Sequence, residues 1–245
     1  MFPIRDTVPR RFPPVMVWTL IFVNSAVFLF QIRLAPQAQE WLLYHYALVP
    51  ARYSDPVWAL AHGLRPDDYL PFLTNTFMHG GWFHLIGNMW FLWIFGSAVE
   101  DRMGPWRFLG FYLACGVLAS VAHYLINTDS QIPALGASGA TSGVMGAYTA
   151  LFPLARILFV VPVFVFPFFF EWPALLFTGF WFVLQFLQGA GELLAPRMGG
   201  GVAWWAHVGG FVAGLAMVRF LTPAWRRRYH PDEGVYGHGP RGELR

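Results

Sequence analysis

Apolar residues along this chain gather into runs of roughly membrane-spanning length, separated by shorter polar segments. A bilayer core asks for ~20 such residues in a helix, and runs of that kind fall at about 15–32, 80–99, 108–126, 137–155, 172–190 and 202–220. The pattern predicts an all-α polytopic membrane protein, a bundle of six transmembrane helices. The first run follows Arg10 and Arg11 and lacks a small-x-small cleavage site, so it reads as an uncleaved span. A further apolar stretch, "ILFVVPVFVFPFFF" at 157–170, is only 14 residues long and contains Pro162 and Pro167. Proline removes a backbone donor and breaks helices. This stretch is therefore expected to be an interfacial or re-entrant hairpin between the fourth and fifth spans. The segment from about 35 to 75 is long enough to hold structure of its own. The predicted organisation is a short leading segment (1–14), a membrane domain (15–222) and a polar tail (223–245).

Composition supports the membrane reading. Hydrophobic residues make up 56% of the 245, and charged residues 12%, against about 25% charged in soluble domains. All 16 basic residues are arginine. Six spans put both termini on one side, and that side carries twelve of the arginines. The other side carries Arg33, Arg52, Arg65 and Arg197. The positive-inside rule then makes the termini cytoplasmic and the 35–75 loop external. The arginines are scattered and cluster only at the ends, so a nucleic-acid partner is not expected; the expected surroundings are a lipid bilayer. The single cysteine, Cys115, excludes an intrachain disulfide and a Cys-based metal site.

Polar groups inside a membrane are costly and are functional candidates by default. Four stand out here: His84, Asn88, Ser138 and His207. His84 and Asn88 are four apart and share a helix face. In the six-span topology the second, fourth and sixth spans all enter from outside, which brings all four residues to the outer part of the core. Each also has a plainer role open to it. A buried serine commonly bonds its own i−4 carbonyl, asparagine serves as interhelical glue, and glycines at i, i+4 let helices pack closely. Gly139 with Gly143 and Gly210 with Gly214 form such pairs.

The combination suits acyl transfer. A serine hydroxyl is a weak nucleophile until a base takes its proton, and close packing of two glycine-lined faces would carry His207 toward Ser138. None of the thirteen acids lies within a span at this depth, and Asp129 in the preceding loop is a weak candidate for a third member. A Ser–His dyad fits better. Asn88, His84 and the backbone N–H of Ser138 could serve as oxyanion donors. A zinc site made of His79, His84 and His207 is disfavoured, because HExxH is missing and no carboxylate lies nearby.

Together these segments resemble the rhomboid family of intramembrane serine proteases. "HGGWFHLIGN" resembles the family's second-span signature, "GASGATSGVMGAY" its Gly-x-Ser-Gly nucleophile motif, and "AHVGGFVAG" its sixth-span histidine motif. "VEDRMG" resembles the turn after the second span. The resemblance covers roughly residues 15–222 and matches the compact six-span form usual in prokaryotes. It implies Ser138 as nucleophile and His207 as general base, with Asn88 and His84 in the oxyanion hole. His79, Gly136, Gly139, Gly210 and Gly214 would be supporting residues, His79 by buttressing the external loop. Ser142 is expected to pack rather than react. That loop lacks the Trp-Arg pair of well-known bacterial members. No cofactor and no metal are implied. The implied partners are transmembrane segments of other membrane proteins, cut near the outer face after sideways entry between spans two and five. The implied location is a bacterial inner membrane. A non-catalytic rhomboid-like protein that binds membrane helices is the alternative, and a small transporter using buried His and Asn is a third reading.

Overall fold

The computed structural model describes residues 2–163, 166–194 and 202–222. The predicted polar tail lies outside them. Helices dominate: α1 (Val15–Gln31), α2 (Pro36–Tyr46), α3 (Ala51–Ser54), α4 (Pro56–Ala61), α5 (Pro71–Thr74), α6 (Trp82–Phe91), α7 (Ser97–Met103), α8 (Pro105–Ile126), α9 (Ser138–Leu151), α10 (Ala174–Leu194) and α11 (Trp204–Leu221). A π turn, Leu92–Gly96, joins α6 and α7 into one continuous rod, Trp82–Met103.

Four of these helical segments are long and apolar enough to cross a membrane: Trp82–Met103, Pro105–Ile126, Ala174–Leu194 and Trp204–Leu221. The other two expected spans are shorter. α1 has 17 residues. α9 has 14, or ~21 Å at ~1.5 Å per residue, well short of a ~30 Å hydrocarbon core. α9 can be short because it is the hub of the bundle. Residues Gly139 to Thr149 are buried without interruption, so its neighbours, not lipid, set its environment.

Glycine brings those neighbours close. A Cβ at Gly210 would collide with the backbone carbonyl of Gly139, and one at Gly214 with that of Gly143. At Gly143 it would stand 2.5 Å from the Cys115 sulfur, and at Gly139 2.6 Å from Ala119 Cβ. Only hydrogen in place of these side chains lets α9 and α11 touch backbone to backbone and lets the Cys115 and Ala119 side chains of α8 reach the α9 backbone.

The sheet is a correction to the all-α expectation. Residues 157–163 and 166–170 lie in two paired antiparallel strands, β2 (Arg156–Val163) and β3 (Phe166–Pro173), and β1 (Phe2–Asp6) adds a third antiparallel strand in the order β1-β2-β3; residues 164 and 165 lie outside the described residues. The residue types explain it: the stretch is almost wholly β-branched and aromatic, which suits a pleated surface. Its prolines face each other (Pro162 opposite Pro167) near one end of the ladder. Ile157 and Phe159 point inward and are fully buried, with the Phe159 ring 4.9 Å from that of Phe177 on α10. The leading segment is tied in through Asp6. Its carboxylate accepts from Arg10 at 2.8 Å and from the Tyr148 hydroxyl on α9 at 2.8 Å.

The segment between α1 and α6 is structured, as its length suggested. Its anchor is Arg52, which is 1% exposed. The guanidinium donates to the carbonyls of Arg65 and His45 and to the Asp68 carboxylate, at 2.8, 3.1 and 2.9 Å. One buried fork thus holds three acceptors of this segment together.

Candidate active site

Each predicted site residue has a definite place. Ser138 is the first residue of α9, where the backbone N–H groups have no intrahelical acceptor. The turn into it needs Gly136, at φ +129°, whose N–H donates to Asn75 O at 2.9 Å. A Cβ there would be 2.6 Å from Cε1 and Nε2 of His84 and 3.6 Å from Ser138 Oγ. The Nε2 edge of His84 therefore lies across Gly136, beside the Ser138 hydroxyl. The Gly80 N–H points at His84 Nδ1, at 3.4 Å. With Nδ1 as acceptor, the ring proton sits on Nε2, facing the site.

Asn88 follows one helical turn later, 8% exposed, and its buried Nδ2 has no hydrogen-bond partner among the described residues. A buried amide donor left unpaired costs roughly 1–3 kcal/mol, and a ligand oxygen arriving in the cavity would relieve it. His207, in the first turn of α11, is 8% exposed. Its Nδ1 is 2.7 Å from Oε1 of Gln185 on α10. Two indoles neighbour its ring, with centroids 5.9 Å away at Trp181 and 6.1 Å away at Trp204.

His84, Asn88, Ser138 and His207 all line one cavity of about 800 Å³. Ser138 and His207 share the wall but are not hydrogen-bonded to each other among the described residues. Such contacts often tighten only once a substrate is bound. Ser142 Oγ donates to the Ser138 carbonyl at 2.6 Å, the local back-bond of a packing serine. Asp129 takes a bond from Thr128 at 3.3 Å and does not line the cavity. No three His, Cys, Asp or Glu side chains converge to hold a metal among the described residues.

His79 sits just before α6, 1% exposed. Gln31, the last residue of α1, clasps its backbone: the Gln31 amide donates to His79 O at 3.0 Å, and His79 N–H donates to Gln31 Oε1 at 3.2 Å. Burial, and secondarily the nearby His84 ring, push the His79 imidazole down to about 4, against a weaker opposing pull from the Phe77 backbone. It is neutral at physiological pH.

Residues absent from the sequence reading also reach the cavity: Gln185, His123 and Asn127. Gln185 carried a readable signal, being an amide inside the apolar run "FVLQFLQG" of the fifth predicted span. Nothing in the sequence says that it faces His207.

Residues 66–224 match the family model described as Rhomboid domain. The chain belongs to the rhomboid family. The match contains the Ser138, His207, His84 and Asn88 positions and all four membrane-length helices. Among curated rhomboid relatives, Rhomboid protein 1, mitochondrial, of Saccharomyces cerevisiae is 30% identical over 160 residues, 63% of this chain and 42% of its own length. Rhomboid protease GluP of Bacillus subtilis is 44% identical over 81 residues, 32% of this chain and 15% of its own. Presenilin-associated rhomboid-like protein, mitochondrial, of Homo sapiens is 35% identical over 99 residues, 39% and 26% respectively. The chain thus matches only about a quarter of the mammalian rhomboid-like proteins.

Proposed function

We propose that this rhomboid protein is an intramembrane serine endopeptidase that cleaves transmembrane segments of other membrane proteins with a Ser138–His207 dyad. One observation carries the reading. A serine at a helix N-terminus, a buried imidazole and two further side chains able to donate line a single cavity beside apolar helices.

The chemistry runs as acyl transfer. Ser138 Oγ attacks the scissile carbonyl carbon while its proton passes to Nε2 of His207. The resulting oxyanion is held by Asn88 Nδ2, by His84 Nε2–H and by the Ser138 backbone N–H at the positive end of α9. Collapse returns the carbonyl, and His207 gives its proton to the departing amine. Water then enters from the open side of the cavity, His207 takes a proton from it, and the acyl-enzyme is hydrolysed to free Ser138.

Between α6 and α10 the cavity wall is made of side chains such as Phe83, Phe91 and Trp181. Phe83 is 94% exposed, and this side is the route by which a substrate helix would enter. On the arginine distribution, both termini are cytoplasmic and the cavity opens to the external face of a bacterial plasma membrane.

Purified protein in detergent, given a reporter with a transmembrane segment, is expected to cleave it. Ser138→Ala and His207→Ala are expected to show no cleavage, and a serine-reactive phosphonate to label wild type but not Ser138→Ala. Normal cleavage by Ser138→Ala would sink the proposal. Substrate-helix binding without labelling would favour the non-catalytic rhomboid-like alternative.

A further inference from the structure

Sequence reasoning ends with a dyad, since no acid stands near His207. We infer that Gln185, on α10, is the positioning residue of the base: its side-chain oxygen accepts from His207 Nδ1–H and so presents the bare Nε2 to Ser138. The inference rests on the proposed role of His207.

Three observations carry it. The Nδ1···Oε1 distance, 2.7 Å, is short for a nitrogen donor. Gln185 is itself buried, 7% exposed, so water competes little for its oxygen. The two neighbouring indoles restrict the ring's tilt but offer no acceptor to choose which nitrogen carries the proton.

That choice decides whether His207 can act. A neutral imidazole has one N–H and one lone pair. With the proton on Nδ1, the lone pair is on Nε2 and can take the serine proton. With the proton on Nε2, the ring can only donate there and the hydroxyl has no base. In serine hydrolases a buried acid makes this selection, and its loss to the wrong tautomer costs ~10⁴ in kcat. An amide makes the same selection when its oxygen faces Nδ1, as it does here, whereas its NH2 turned to the ring would impose the opposite tautomer. It adds no negative charge to stabilise the imidazolium, so its removal is expected to cost less. The acceptor also comes from a different helix from either member of the dyad. The base is therefore correctly set only while α10 lies against α11, where Phe182 and Phe211 rings pack at 4.8 Å.

Two measurements test this. The first uses wild-type protein with ¹⁵N-histidine, His207 being assigned by difference from His207→Ala. The spectrum is expected to show Nδ1 protonated and Nε2 bare in neutral His207, and a proton on Nε2 overturns the inference without any variant at Gln185. The second compares Gln185→Met with Gln185→Glu. Methionine keeps length and removes the acceptor, and is expected to lower kcat about ten- to a hundredfold with KM within about twofold of wild type. Glutamate keeps an acceptor and is expected to restore most of the lost kcat. Unchanged kcat in Gln185→Met, with Ser138→Ala and His207→Ala still inactive, overturns the positioning role and leaves the protease reading intact. Full cleavage by His207→Ala removes both.

Discussion

At the scale of single residues, two polar groups that line the cavity with Ser138 have opposite prospects. Asn88 Nδ2 is buried without a partner among the described residues, whereas Ser142 Oγ is already spent on the Ser138 carbonyl. A donor held free for a developing charge contributes far more than one already bonded in the ground state. Asn88→Ala is expected to lower kcat by about 10²–10³ with a smaller effect on KM, the loss seen when one oxyanion donor is removed. Ser142→Ala is expected to keep kcat within a few-fold. Steady-state kinetics on the same reporter check both, and equal losses would return Asn88 to interhelical packing. Gly136 makes the same point about space. A methyl group there would enter the His84 ring, so this glycine is needed by the site as much as by its backbone angle.

At the scale of elements, the membrane-length helices and most of their ends were legible because apolar runs and helix lengths answer to the same bilayer thickness. α8, predicted from 108 and observed from Pro105, differs mainly where a proline starts the helix. The limits of α9 were less legible: the run was expected to reach 155, and the helix ends at Leu151. Hydropathy reports that a residue is out of water and is blind to whether lipid or protein has replaced it. Strands β2 and β3 were hidden for a related reason, since a short apolar run has no periodicity that separates strand from buried helix. The Ser138, His207, His84 and Asn88 positions were readable as polar exceptions in apolar runs. Gln185 was a polar exception too, but its role was not readable, because it is a pairing with His207 across 22 residues of sequence. Capping shows the same limit. The first turn of α1 has no acidic residue of its own. The carboxylate of Glu100 accepts from Met16 N and Val17 N at 2.9 and 2.8 Å, and Asp101 accepts from Arg11 N and Phe12 N at 2.9 Å. Glu100→Ala strips two acceptors from buried donors and is expected to destabilise the protein by about 1–3 kcal/mol, read as a lowered unfolding midpoint in detergent. No change in that midpoint would mean that other groups cap α1.

For the whole molecule, acid sensitivity follows from His79, which joins the end of α1, the preceding loop and the start of α6. Its imidazole has the usual pKa of 6.5 when unfolded and about 4 in place. Between these values the unfolded chain binds more protons than the folded one, so stability is present above pH 6.5 and is lost as pH falls toward 4. Asp6, raised above its usual 3.8 chiefly by burial, acts with the opposite sign at the acid end of that window. Unfolding followed from pH 7.5 to 4 is expected to show a falling midpoint in wild type and a shallower fall in His79→Phe; parallel curves would remove His79 from the account. The Glu100 cap has one more consequence, in time. Its partner Met16 lies 84 residues earlier, and at ~5–20 residues per second of synthesis the start of α1 waits roughly 4–17 s for its acceptors. During that interval the donors of the first helix must be met by water, headgroups or the insertion machinery, so the nascent helix cannot settle at its final depth until α7 has been made.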